Sequence, residues 1–186
     1  MYIRIHGRGG QGSFVCAQIL AIAAFEEGFY PYASLFIRGG GDRRGAPVTA
    51  FAVIEKDKVK ERPKRIMSAD LIAVQDPSLF EVEDVLSGLS ENGTVIINSE
   101  KDPDHFTELT GLRRARFKTI NATQIALEVL KSTVTSTAMA GAVAPLLDFS
   151  FNSVKKAIRD ILPEDIAEKN VKAARKAYKY IKRCRT

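Results

Sequence analysis

Gly7, Gly9 and Gly12 stand at the spacing G-x-G-x-x-G, directly after the apolar run Tyr2-Ile3-Arg4-Ile5 and ahead of a long apolar segment that begins at Ser13. In that setting the first glycine permits a tight turn, the second lets backbone approach a ligand, and the third seats a helix on a strand. Free N–H groups at a helix start favour a phosphate or pyrophosphate. The same glycines serve equally well to turn the chain and seat the helix with nothing bound. A dinucleotide enzyme would also close its second strand, about 20 residues on, with an acidic residue for the ribose. Tyr30 to Phe36 contains no carboxylate; Glu26 and Glu27 precede it and Asp42 lies beyond it, so the pattern disfavours NAD. A second concentration of chemistry lies at Arg38, Arg43 and Arg44, set among Gly39-Gly40-Gly41 and Gly45. Guanidinium forks on glycine-rich backbone suit a phosphate or carboxylate, and acidic side chains of another protein would satisfy them as well.

No catalytic constellation accompanies these loops. A nucleophile with its base, paired carboxylates, or metal ligands at usable spacing would be needed. His6 precedes the glycine loop and reads as its support, and His105 sits in a polar Asp-Pro-Asp-His loop. Asp76 and Glu100 have the chemistry of general bases, but capping and surface roles account for them. Cys16 and Cys184 are too few and too far apart for an iron–sulfur or zinc ligand set or a disulfide framework. The expectation is a chain with no catalytic residue and no metal site of its own.

The elements that must position these loops are set by periodicity. With 186 residues and 45% hydrophobic content, the chain is read as one domain over 1–186. A helix from Ser13 to Glu27 ends at Gly28, a strand runs from Tyr30 to Phe36, and another from Pro47 to Ile54. Glu55-Lys56-Asp57-Lys58 reads as a turn into a short polar return near Arg62-Pro63, a β-hairpin insertion. Leu71 to Gln75 is a strand, after which Asp76 caps and Pro77 opens a helix. Thr94 to Asn98 and Ala115 to Ile120 are further strands, the latter leading through Asn121 into a helix that extends to Lys131; the remainder is helical. Alternation of this kind implies α/β architecture: a doubly wound, mainly parallel sheet with helices on both faces and a helical C-terminus. The glycine loop, the arginine loop, Gln75-Asp76 and Asn98-Ser99-Glu100 then gather at the carboxyl ends of strands. Ser136 to Ala142, rich in small residues, is read as a tightly packed helix whose Ser and Thr could cap or reach the same edge.

A net charge of +6 raises nucleic-acid binding. Lys169, Lys172, Lys176, Lys179 and Arg183 recur at helical spacing, with Val171, Ala174, Tyr178 and Ile181 on another side, so an amphipathic helix with a solvated basic face accounts for them. Arg113 to Lys118 reads as the exposed side of a strand, and neither cluster is interleaved with aromatics as a base-stacking surface would be. No signal sequence and no membrane-length apolar run is seen, so a soluble, cytoplasmic protein is expected, with neither membrane nor nucleic acid as partner. A free-standing nucleotide-binding α/β protein and a basic nucleic-acid-binding module remain as alternatives from the residues alone.

Five motifs in order go further. Gly7-Arg8-Gly9-Gly10-Gln11-Gly12, Arg43-Arg44-Gly45-Ala46-Pro47-Val48, Val74-Gln75-Asp76-Pro77, Ile97-Asn98-Ser99-Glu100-Lys101-Asp102-Pro103 and Thr137-Ala138-Met139-Ala140-Gly141-Ala142 resemble the gamma subunit of pyruvate or 2-oxoisovalerate ferredoxin oxidoreductase, over essentially the whole chain. The resemblance implies an accessory subunit of an enzyme that converts a 2-oxoacid, coenzyme A and oxidised ferredoxin to acyl-CoA, carbon dioxide and reduced ferredoxin. It implies alpha, beta and delta subunits as partners and ferredoxin as electron acceptor of the complex. Thiamine diphosphate with magnesium, and the 4Fe-4S clusters, would reside in other chains, with none bound by this one. The site candidates carried over are Gly7, Arg8, Gly9, Gly10, Gln11, Gly12, Arg43, Arg44, Gly45, Thr137 and Met139, facing coenzyme A or an intersubunit surface, and Arg38 joins them from the arginine cluster read above. Related indolepyruvate-type chains usually read Arg-Gly-Gly where this one has Arg44-Gly45-Ala46-Pro47, which favours the pyruvate branch. Ser136 replaces the Asn that relatives often carry before Thr-Ala-Met.

Overall fold

A computed structural model describes residues 1–37, 44–57 and 68–184. Its centre is a six-stranded sheet in the order β2-β3-β1-β4-β5-β6, formed by β1 (Tyr2–Arg8), β2 (Tyr30–Ile37), β3 (Pro47–Glu55), β4 (Ala69–Val74), β5 (Leu89–Asn98) and β6 (Arg116–Ile120). β1, β4, β5 and β6 pair in parallel, whereas β3 pairs antiparallel with both β1 and β2. β3 therefore runs against its five companions, inserted between β1 and β2. The strand expected from Pro47 to Ile54 forms its hairpin with β2, which precedes it. The polar return near Arg62-Pro63 lies outside the described residues.

Strand alternation decides the two faces. Ile3, Ile5, Ala50, Ala52, Leu71, Ala73, Ile96 and Ile120 point to one side, where they meet α1 (Ser13–Glu26) and the helical C-terminal part. That part comprises α3 (Ala122–Leu130), α4 (Ser136–Val143), a 3-10 turn over Ala144–Leu147, α5 (Phe151–Ile161) and α6 (Glu164–Arg183). Ile72, Val74, Val95, Ile97 and Phe117 point to the other side, under Phe106 of α2 (Pro103–Thr110). α1 carries no charge before Glu26 and packs on β1, β2 and β3 as well as on α4 and α5, so it is apolar nearly all round. Cys16, fully buried within it, has its thiol pushed up to about 12 by burial.

Two local expectations change. Asp76 does cap, with its side chain accepting from Ser78 N–H, but the element it opens is a five-residue 3-10 turn, Pro77–Glu81, and not a full helix. The Asp-Pro-Asp-His stretch, expected as loop, instead opens α2: Pro103 occupies its first position, where a missing N–H costs nothing, and Gly111 closes it in the left-handed region. In α6 the division into faces is as the spacing predicts. Val171, Ala174, Tyr178 and Ile181 are buried, and Lys169, Lys172, Lys176, Lys179 and Arg183 are exposed. Among the described residues no helix is long and apolar enough to cross a membrane.

Candidate functional site

β1 and β4 are neighbours whose onward connections lead to opposite edges of the sheet, and such a switch opens a crevice at the strand carboxyl ends. Here the chain fills that crevice itself. Arg8, the last residue of β1, lays its guanidinium across it: Nε donates to Asp76 Oδ2 at 3.0 Å, and the two terminal nitrogens donate to Gly45 O at 3.1 Å and Ser78 Oγ at 2.7 Å. Gln11 Nε2 donates to the same Asp76 oxygen at 3.2 Å. Burial pushes the Asp76 carboxyl up, but the Ser78 hydroxyl and N–H, the Gln11 amide and the Arg8 charge together hold it below the usual carboxylate range.

Beneath this layer Gln75, 1% exposed, joins three elements. Its Oε1 accepts from Ser13 Oγ at 2.5 Å, its Nε2 donates to Thr135 Oγ1 at 3.4 Å, and its carbonyl accepts from Asn98 Nδ2 at 2.8 Å. Gly12, left-handed at φ 77°, lets α1 start hard against α4, for a Cβ there would stand 2.9 Å from that of Ser136.

The glycine loop is stitched down by the same economy. Arg8 N–H donates to Gln11 Oε1 at 2.8 Å, Gly9 N–H to Ala46 O at 2.8 Å and Gln11 N–H to Arg8 O at 3.0 Å, while Gly9 O accepts from Gly45 N–H at 3.0 Å. The donors of Arg8, Gly9 and Gln11 are thus committed within the protein and not free for a pyrophosphate, while the start of α1 at Gly12 carries no side-chain cap. Nor do these residues fit an iron–sulfur cluster or the divalent ion that accompanies a diphosphate. Among the described residues no three His, Cys, Asp or Glu side chains stand close enough to share a metal, and of the two free cysteines Cys16 is buried and Cys184 exposed.

Of the sequence candidates, Gly7, Arg8, Gly9, Gly10, Gln11, Gly12 and Gly45 come together, with exposed Arg44 alongside Gly10. Arg38 and Arg43 lie outside the described residues. Thr137 and Met139 are not at this edge: both are fully buried, Thr137 Oγ1 donating to Asn170 Oδ1 of α6 at 2.9 Å and Met139 lying in the core, because that face of α4 is turned to α6 and the helical layer. Sequence reasoning placed Gln75 and Asn98 at the edge without their role as hubs, and it missed Ser13, Thr135 and Arg4. The available signal was polarity in the wrong place, a Gln closing the apolar run Leu71 to Val74 and an Arg within β1. Arg4, 6% exposed, donates to the carbonyls of Val85 and Ser87 and so satisfies an irregular connection between β4 and β5.

A model of the family described as pyruvate ferredoxin/flavodoxin oxidoreductase matches residues 2–180. The chain belongs to this family. The common gamma subunit of pyruvate/ketoisovalerate oxidoreductases from Pyrococcus abyssi is 45% identical over 177 residues, covering 95% of this chain and 94% of that protein. Pyruvate synthase subunit PorC of Methanothermobacter thermautotrophicus is 42% identical over 184 residues, with 98% and 97% covered. The crystal structure of pyruvate oxidoreductase subunit PORC from Thermotoga maritima superposes with a TM-score of 0.81 at 31% identity, over 96% of this chain and 95% of that one. A 2-oxoglutarate:ferredoxin oxidoreductase from Magnetococcus marinus shares the fold, with a TM-score of 0.77 at 18% identity; the whole of this family member spans 31% of that chain.

Proposed function

We propose that the chain is the gamma subunit of a thiamine-diphosphate-dependent 2-oxoacid:ferredoxin oxidoreductase, acting as a noncatalytic member that docks the carboxyl edge of its sheet on other subunits. The observation that carries the reading is the filled crevice: Arg8, Gln11, Asp76 and Ser78 satisfy one another where an independent α/β enzyme would leave room for a cofactor. An edge of preorganised polar groups, built on rigid strands, suits a fixed protein surface. Thiamine diphosphate, magnesium, iron–sulfur clusters and coenzyme A belong in this reading to sites that the alpha, beta and delta subunits supply or complete, with ferredoxin accepting the electrons.

Relatives named as a subunit common to pyruvate and ketoisovalerate oxidoreductases support a further point. A chain shared by two enzymes with different 2-oxoacids cannot be what distinguishes them, so the selection of substrate falls to other subunits. Oxygen-free purification of the tagged chain from its own cells tests the proposal. Co-purifying subunits with brown iron–sulfur colour, bound thiamine diphosphate and dye reduction dependent on pyruvate and coenzyme A are expected, and the isolated chain should be colourless and inactive. Oxidation of pyruvate by the pure chain alone would overturn it.

A further inference from the structure

On the face of the sheet away from α6, a cleft of about 1290 Å³ opens between the Pro77–Leu86 segment and α2. Its floor is aromatic, with the Phe80 and Phe106 rings 5.7 Å apart at their centroids. Its rim is aliphatic and wet: Val82, Leu109 and Leu112 are 60%, 59% and 41% exposed. Around that rim stand three exposed carboxylates, Glu81, Asp84 and Glu100, against one lysine, Lys101, in a chain whose net charge is +6, while Glu83 turns inward to His6.

The inner, polar end of the cleft is already satisfied. Asn98 Nδ2 donates to Thr123 Oγ1, its Oδ1 accepts from Thr123 N–H, and Asn121 Oδ1 accepts from Gln124 N–H, so the start of α3 is not waiting for an anion. The cleft is also wider than the 300–1,000 Å³ or so typical of small-molecule pockets, and it opens to solvent. What remains is an aromatic floor and an aliphatic rim within a negative border. This is the complement of an apolar stripe flanked by lysine or arginine, the helix-in-groove mode of recognition.

We propose that this cleft seats a basic amphipathic helix of another subunit of the oxidoreductase. The inference rests on the subunit reading given above. It is tested in the assembled complex by placing the photo-crosslinking residue p-benzoylphenylalanine at position 109 and, separately, at position 82, and mapping the crosslinked peptides by mass spectrometry. Crosslinks from both positions to one segment of a different subunit, with apolar residues three or four apart and flanking Lys or Arg, are expected. In parallel, the triple charge reversal E81K/D84K/E100K should weaken association of the chain with the remaining subunits about tenfold or more, while the isolated variant melts as the wild type does. An intact, active complex that gives no crosslink to another subunit, or only to a second copy of this chain, would overturn the cleft proposal and leave the subunit reading standing; so would unaltered assembly of the charge-reversed variant. A chain that purifies with no other subunit would overturn both.

Discussion

Gly7 has no room for a methyl group. A Cβ there would stand 2.3 Å from Ser13 Oγ and 2.7 Å from Gln75 Oε1, the two atoms of the bond that ties α1 to β4. Gly7→Ala should therefore cost about 1–3 kcal/mol by breaking a buried hydrogen bond and crowding the turn, read as a lower urea midpoint with an unchanged slope; wild-type stability would refute it. His6 offers a pH test. Both ring nitrogens are without a hydrogen-bond partner among the described residues, and burial, with the Arg4 charge, brings its pKa down to about 3 even though Glu83 lies 3.6 Å from Nδ1. The unfolded chain takes up a proton near the ordinary histidine value of 6.5 while the folded one does not, so stability should fall as pH drops below that value, by at most about 1.4 kcal/mol per unit. His6→Gln should flatten the slope between about pH 6.5 and 5, above the carboxylate range; an identical slope in the variant would point to other groups. At this scale the sequence announced the glycines and Arg8 through their spacing. It could not announce that Gly7 is required by side chains from two other elements, because that crowding exists only once β4 lies beside β1.

The helical layer turns on one close approach. A Cβ on Gly141 would stand 2.2 Å from the carbonyl oxygen and 2.7 Å from the Cα of Ala174, so α4 and α6 touch backbone to backbone, with the Thr137–Asn170 bond one turn away. Gly141→Ala should destabilise by about 2 kcal/mol or more. Because the clash is with main chain, adding Ala174→Gly should not restore stability in thermal melts; recovery would mean that the contact is side chain in origin. The run Ser136 to Ala142 was legible as a closely packed helix from its small residues, but its mate was not, since α6 lies about 30 residues on and shows only its own amphipathic stripe. α2 was obscured for a different reason. Asp-Pro-Asp-His reads as turn chemistry, and only the cover that Phe106 gives to Val95, Ile97 and Phe117 makes a short helix worthwhile there. The central strands β1, β3 and β4 and helix α1 were legible because apolar runs, buried on both faces, leave little choice of element.

Among the described residues, charge and exposed apolar surface are distributed unevenly. α6 presents lysines on one side of the sheet, and the acid-bordered cleft opens on the other. Phe25 and Tyr180 add further exposed rings, 64% and 50% accessible. A chain with this surface, deprived of the subunits that would cover it, should self-associate as its concentration rises, and co-production with those subunits should abolish the effect. Sedimentation velocity measures both; a strict monomer over the whole soluble range would argue against a large covered surface. The position of β3 has its own consequence, in the order of events during synthesis. Ile3 of β1 faces Ala52 on one flank and Leu71 on the other, so β1 leaves the ribosome ahead of both neighbours, gaining the first once β3 has been made and the second once the chain has grown past β4. Until then this strand, central in the finished sheet, is an open edge, to be shielded by α1 or by a chaperone, and the layer of Arg8, Gly45, Asp76 and Ser78 cannot close over the crevice before β4 has been made.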